Sequence, residues 1–105
     1  MIVHSTNGIK KSFYGVDFLV LSHSDNTMLT KMLYKVSDIV PMHSHPNEQC
    51  GYVISGKYRI RFMDYDTEIE VGDSYIIPAN VEHSIEIIEG EEVLDCFNPP
   101  REDYL

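Results

Sequence analysis

At 105 residues, with 43% hydrophobic and 24% charged side chains, the chain has the make-up of a globular protein with material for one core. Seventeen Asp and Glu against eight Lys and Arg leave a formal charge of -9, which disfavours nucleic acid and anionic membrane surfaces, whose binding draws on clustered cations. Two cysteines are too few for a disulfide scaffold, the uncharged apolar run Phe18 to Leu21 is only four residues long, and no basic-then-apolar leader opens the chain, so a cytoplasmic protein with reduced thiols is expected.

Alternation of period two recurs along the chain, and no stretch of ten residues keeps helical spacing. Residues 1 to 11 are the least patterned and read as an arm or a first edge strand. After the turn signal Ser24-Asp25-Asn26, Met32, Tyr34 and Val36 alternate with Leu33, Lys35 and Ser37, and Ser37-Asp38 punctuates again. His43-Ser44-His45 and His83 fall where strands are expected to begin, and Pro46-Asn47 turns the chain toward Gln49. Beyond Ser55-Gly56, Tyr58, Ile60 and Phe62 alternate with Lys57, Arg59 and Arg61. That basic stripe reads most simply as a solvated outer face, although it could also draw in an anionic ligand. Further turns fall at Asp64-Tyr65-Asp66, Gly72-Asp73, Pro78-Ala79-Asn80 and Glu89-Gly90-Glu91, and Pro99-Pro100 ends the last strand. Eight punctuation points separate about nine short antiparallel strands. The expected fold is all-β, a sandwich or single-domain jelly-roll (double-stranded β-helix) barrel over 1–105, with the barrel core at about 28–98 and an N-terminal arm or strand at 1–22.

Chemistry concentrates at the histidines. Residues i and i+2 of a strand point the same way, so His43 and His45 can share one ion, and neutral imidazole is the commonest transition-metal ligand. Near the C-terminal end, Val93, Asp95 and Phe97 share one strand face, while Leu94, Cys96 and Asn98 share the other. Asp95 therefore faces either solvent or a polar cavity inside the barrel, and the pattern does not choose between them. The same parity sets Cys50 on the face opposite to Gln49 and Cys96 opposite to Asp95, which makes neither thiol a ligand or nucleophile. Tyr52 and Tyr75 suit a pocket or a dimer seam equally well.

These residues resemble the cupin superfamily. Its first motif, G-x5-H-x-H-x(3,4)-E-x6-G, is similar to His43, His45, Gln49 and Gly56, and its second, G-x5-P-x-G-x2-H-x3-N, to Gly72, Pro78 and His83. Ser37, Asn80 and Ile87 depart from the pattern, and Gln49 stands where glutamate is usual. Glu48 would ligate only if the strand slipped by one residue, and the spacing to Gly56 selects Gln49. The resemblance implies one divalent transition metal ion (nickel, iron, manganese, zinc or copper) on His43, His45, Gln49 and His83. A neutral amide in place of a carboxylate would keep the ion's full charge and favour Lewis-acid work.

Together with D-x-F-x-P-P-R-E-D-Y-L from Asp95, the motifs resemble one cupin group in particular: the small pectin- and alginate-degradation cupins that open 4,5-unsaturated uronates into linear keto sugars. That likeness implies an anionic sugar substrate, a homodimer with a seam near residues 1 to 22, and active-site roles for Asp95, Phe97 and Arg101. For the last two, plainer roles compete: a core aromatic for Phe97, and for Arg101 a salt bridge to Glu102, Asp103 or a neighbouring subunit. A metal-dependent dioxygenase and a non-catalytic small-ligand-binding cupin are the alternative functions.

Overall fold

Ten antiparallel strands pair into two sheets, seen in a computed structural model that describes residues 1–105. In chain order they are β1 (Ile9–Phe13), β2 (Val16–His23), β3 (Met28–Tyr34), β4 (Ile39–His43), β5 (Glu48–Val53), β6 (Lys57–Phe62), β7 (Tyr65–Glu70), β8 (Ser74–Ile77), β9 (His83–Glu89) and β10 (Glu91–Asn98). One sheet has six strands in the order β1-β2-β3-β10-β5-β8; the other has four, β4-β9-β6-β7. This is the jelly-roll architecture expected from the alternation. Short 3-10 turns at Ser5–Asn7 and Glu102–Tyr104 are its only helical elements, so no helix is long and apolar enough to cross a membrane.

The expected count of nine strands becomes ten because residues 9 to 23 are a hairpin. Its two-residue turn, Tyr14-Gly15, holds both residues at positive φ (52° and 80°), the geometry that matches the twist of the flanking strands. Tyrosine is an unusual occupant of that region, which hides the turn from a scan for turn residues. Other boundaries shift as well. Tyr65 and Asp66 open β7 rather than sit in the turn, and Val36 lies exposed beyond the end of β3. His43 ends β4, and His45 lies in the loop that follows, so neither begins a strand; only His83 does.

Inward positions follow the period of two. Val16, Phe18 and Val20 of β2, Met28 and Met32 of β3, Tyr58, Ile60 and Phe62 of β6, and Val93 and Phe97 of β10 interdigitate in a core cluster of 16 buried side chains. Burying an apolar side chain of this size stabilises the fold by roughly 1.5–3 kcal/mol. Within the same inward rows lie four buried polar residues, Thr30, Gln49, His83 and Asp95. Buried polar groups persist only when they are paired, so these rows mark where apolar core gives way to a site.

Candidate metal centre and cavity

The chain between β4 and β5 crosses from the four-stranded sheet to the six-stranded one, carrying His43, His45 and Gln49 past each other. His43 pairs directly with His83 across β4 and β9, just after a register shift between Val40 and His43. The ring centroids of His43 and His83 lie 4.3 Å apart, those of His45 and His83 4.9 Å. One ligand atom from each of the three rings falls within 4.8 Å of the others. Gln49 is inward and buried while Glu48 is exposed, as the spacing to Gly56 requires.

Each imidazole is held by one backbone carbonyl. Nδ1–H of His43 donates to Pro41 O (2.8 Å), that of His45 to Asn47 O (3.0 Å) and that of His83 to Val81 O (2.9 Å). A carbonyl can only accept, so the proton sits on Nδ1, and Nε2 of each neutral ring carries a lone pair. His83 Nε2 is buried with no hydrogen-bonding partner. His45 Nε2 lies 3.1 Å from Gln49 Oε1, which sets two acceptors face to face. The side chain of Gln49 turns its oxygen, not its nitrogen, to His45, and its donor end acts on Asp95 and Tyr75, a lowering pull on both groups that burial outweighs. Two opposed acceptors and an orphaned buried nitrogen are the arrangement that a cation satisfies. The residues therefore fit a metal ion. Burial, reinforced by Arg101 and the neighbouring histidines, also favours the neutral form of two of the rings: His83 is lowered to about 4, and His45 is lowered from its ordinary value.

These groups open onto a cavity of about 620 Å³, within the range that takes small molecules, lined also by Asp95, Phe97, Tyr75 and Arg101. Asp95 thus faces the interior rather than solvent. Burial raises its carboxyl to about 6, against the opposing pull of hydrogen bonds from Tyr75 (2.6 Å) and Gln49 and of the Arg101 charge. Phe97 is both core and wall, 2% exposed, with its ring edge-to-face against His45 at 5.6 Å. Arg101, 5% exposed, already has an acidic partner: its Nε and Nη2 donate to the two oxygens of Asp103 (3.1 and 2.7 Å). Nη1 donates to the Tyr104 hydroxyl at 3.0 Å, and the guanidinium carbon lies 4.1 Å from the Tyr104 ring centre and 5.3 and 5.4 Å from those of Phe13 and Phe97. The salt bridge expected as an alternative for Arg101 is thus present, and it lies inside the cavity wall.

The structure adds residues that pattern reasoning did not single out. Asn47, an apparent turn residue, is buried and donates through its side-chain amide to Pro99 O (2.7 Å) and Pro100 O (3.1 Å), tying the His45 loop to the segment that carries Arg101. Only its burial, invisible in the sequence, distinguishes it from other turn asparagines. Lys57, Arg59 and Arg61 stay outside the cavity. Arg59 and Arg61 pair with Asp66 at 2.6 and 3.2 Å, and Arg61 also with Glu86 at 3.5 Å. Cys50 and Cys96 are free thiols directly opposite one another on the outward face of β5 and β10.

Comparison with known proteins agrees with this geometry. Residues 30–97 match the family model described as Cupin domain, and the chain belongs to that family. It is 26% identical over 93 residues to the pectin degradation protein KdgF of Dickeya dadantii (strain 3937), covering 87% of this chain and 84% of the relative. Among solved structures, KdgF from Halomonas sp. superposes with a TM-score of 0.90 over 100% of both chains at 20% identity. An RmlC-like cupin from Shewanella frigidimarina gives 0.91 at 22% identity, over 99% of this chain and 95% of that one. At such identities these superpositions speak for the fold.

Proposed function

We propose that this cupin is a metal-dependent enzyme of sugar-acid breakdown that opens 4,5-unsaturated uronates, of the galacturonate type, into linear keto sugars. The observation that carries the reading is the convergence on one cavity of three histidine ring nitrogens, a buried carboxyl and a buried guanidinium. Kinship with a pectin degradation protein supports an acidic sugar as the ligand.

His43, His45, Gln49 and His83 would hold one divalent transition ion, which when bound would supply Lewis acidity at the site. A 4,5-unsaturated uronate is a cyclic enol ether conjugated to a carboxylate. With the carboxylate anchored, a proton goes to C4, and water adds at C5 and returns one proton to the acid. The resulting hemiketal opens by breaking its bond from C5 to the ring oxygen, which takes the hydroxyl proton. Arg101 supplies the anchor. Its planar donor set matches a carboxylate, and the incoming group competes with half-exposed Asp103 for that contact. Asp95, within the polar row of the cavity, holds the proton delivered to C4. Phe97 packs against the ring and excludes water from that side. The same reading takes residues 1–105 as one unit that pairs as a homodimer, with β1, an open edge of the six-stranded sheet, near the seam. Light scattering of the purified protein tests the pairing.

The deciding assay is anaerobic. Loss of the conjugated-alkene ultraviolet absorbance of 4,5-unsaturated galacturonate is followed for wild type, for His83→Ala and for a blank without enzyme, because the ring also opens unaided. Metal-dependent loss above both controls is the expected result. No loss with metal-loaded protein, or loss only when oxygen is admitted, would overturn the proposal and point to the dioxygenase alternative.

A further inference from the structure

Four positions form a single row across the six-stranded sheet: Tyr75 on β8 is paired with Gly51 on β5, Gly51 with Asp95 on β10, and Asp95 with Thr30 on β3. Neighbouring strands lie about 4.8 Å apart, so the backbones of Tyr75 and Asp95 are separated by roughly 10 Å with a whole strand between them. Even so, the Tyr75 hydroxyl donates to Asp95 Oδ1 at 2.6 Å. The ring covers that distance by lying across β5 at the one residue of the row that has no side chain. A Cβ built on Gly51 would fall inside the van der Waals envelope of Cζ, Cε2 and the hydroxyl oxygen of Tyr75.

We infer that Tyr75 is a positioning residue for Asp95 and that Gly51 is the gap through which it reaches. The inference rests on the proton role given above to Asp95. One end of the acid is pinned by Thr30, whose hydroxyl donates to the Asp95 backbone oxygen at 3.0 Å; the other end is pinned by Tyr75 through Oδ1. Rotation of the carboxyl would break a buried hydrogen bond, so the plane of the acid, and with it the aim of Oδ2, is set before a ligand arrives. Tyr75 itself need touch neither metal nor substrate.

The test uses metal-loaded protein and 4,5-unsaturated galacturonate. Tyr75→Phe keeps the ring and removes the bond; the expected result is a fall in kcat of roughly tenfold or more, with KM within about twofold of wild type and bound metal unchanged. Gly51→Ala, by driving the ring off Asp95, should cost kcat to a similar degree. A melting experiment reads the packing independently of activity: Gly51→Ala should lower Tm when Tyr75 is present and leave it unchanged in a Tyr75→Ala background. Wild-type kcat in Tyr75→Phe, beside an inactive Asp95→Asn, would overturn the positioning role alone. So would a Tyr75→Phe protein that loses metal or fold together with kcat, since that marks a purely structural tyrosine. Full turnover by Asp95→Asn would remove the proton role, and this inference would fall with it.

Discussion

Arginine appears in two settings in this molecule, and the contrast separates decoration from machinery. On the outer face of β6, Arg59 and Arg61 meet Asp66 and Glu86 in ion pairs whose side chains are between 36% and 57% exposed. Water solvates each partner nearly as well as the other does, and such pairs contribute little. In the cavity wall, Arg101 is 5% exposed, pinned by Asp103 and Tyr104 and ringed by three aromatic side chains. A cation so far from water is costly without an anion, so a carboxylate always has a place beside it. The outer pairs stay in solvent; the inner one fixes a cation in the cavity wall, where the proposed function gives it the anchor role.

Substitutions on the two faces should therefore separate by orders of magnitude. The largest effect belongs to Asp95→Asn, which should reduce turnover to the uncatalysed rate while metal content, read by atomic emission, stays at the wild-type value. Loss of metal from that variant would erase the division between ligands and proton carrier. Next comes the anchor. Arg101→Lys keeps the charge but not the planar fork, and should lower kcat/KM by about 10-fold to 100-fold, mostly through KM. Asp103→Asn should act in the opposite direction, tightening binding of saturated galacturonate by a few fold in calorimetry as a competitor is removed. Weaker binding there would show that Asp103 orients Arg101 rather than competing for it.

A subtler effect lies in the pH dependence of the metal-free protein. With His83 lowered to about 4 in the fold against about 6.5 for a free imidazole, the unfolded chain takes up the proton first, and stability rises with pH across that window. Asp95, raised to about 6, works the other way: its protonated form is favoured in the fold, and that contribution is lost as pH climbs from about 4 toward 6. The two slopes oppose each other. In Asp95→Asn only the histidine slope remains, so Tm of chelator-treated protein should climb more steeply between pH 4 and 6.5 than in wild type; equal slopes would count against the buried carboxyl. Smallest of all, Arg59→Ala should leave kcat, KM and metal content unchanged, and any rise in KM would give the outer face a part in drawing in the ligand.

The site was legible in the sequence where chemistry and spacing coincide, and illegible where a partner comes from a distant strand. His43, His45, Gln49 and His83 stand at intervals that only a few folds use, and the structure brings them together. Alternation alone also assigns the inward face of β6 and groups Val93, Asp95 and Phe97 on one face of β10. It leaves the direction of Asp95 open, because an acid between valine and phenylalanine is tolerable only when paired, and its partner Tyr75 lies 20 residues earlier and two strands away. The Tyr14-Gly15 turn escaped for a different reason: tyrosine at positive φ is rare enough that no turn rule expects it. The pairing of Arg101 with Asp103 is local, just two residues along the chain, yet neither composition nor period reveals that Arg101 is buried.

The wall that carries Arg101 has one more consequence. Everything it needs, Arg101, Asp103 and Tyr104, follows β10; two hydrogen bonds from Asn47 tie it to the His45 loop, and Tyr104 roots it in the core against Phe13, Phe18 and Phe97. The histidine cluster and the sheets are complete without it. On the proposed function, recognition would be modular: a short segment after β10 would present the anchor to a chamber built by the strands. Engineering could then retune which acid is admitted by rewriting Arg101 and Asp103, provided that Asn47 and Tyr104, which fasten the segment, are kept.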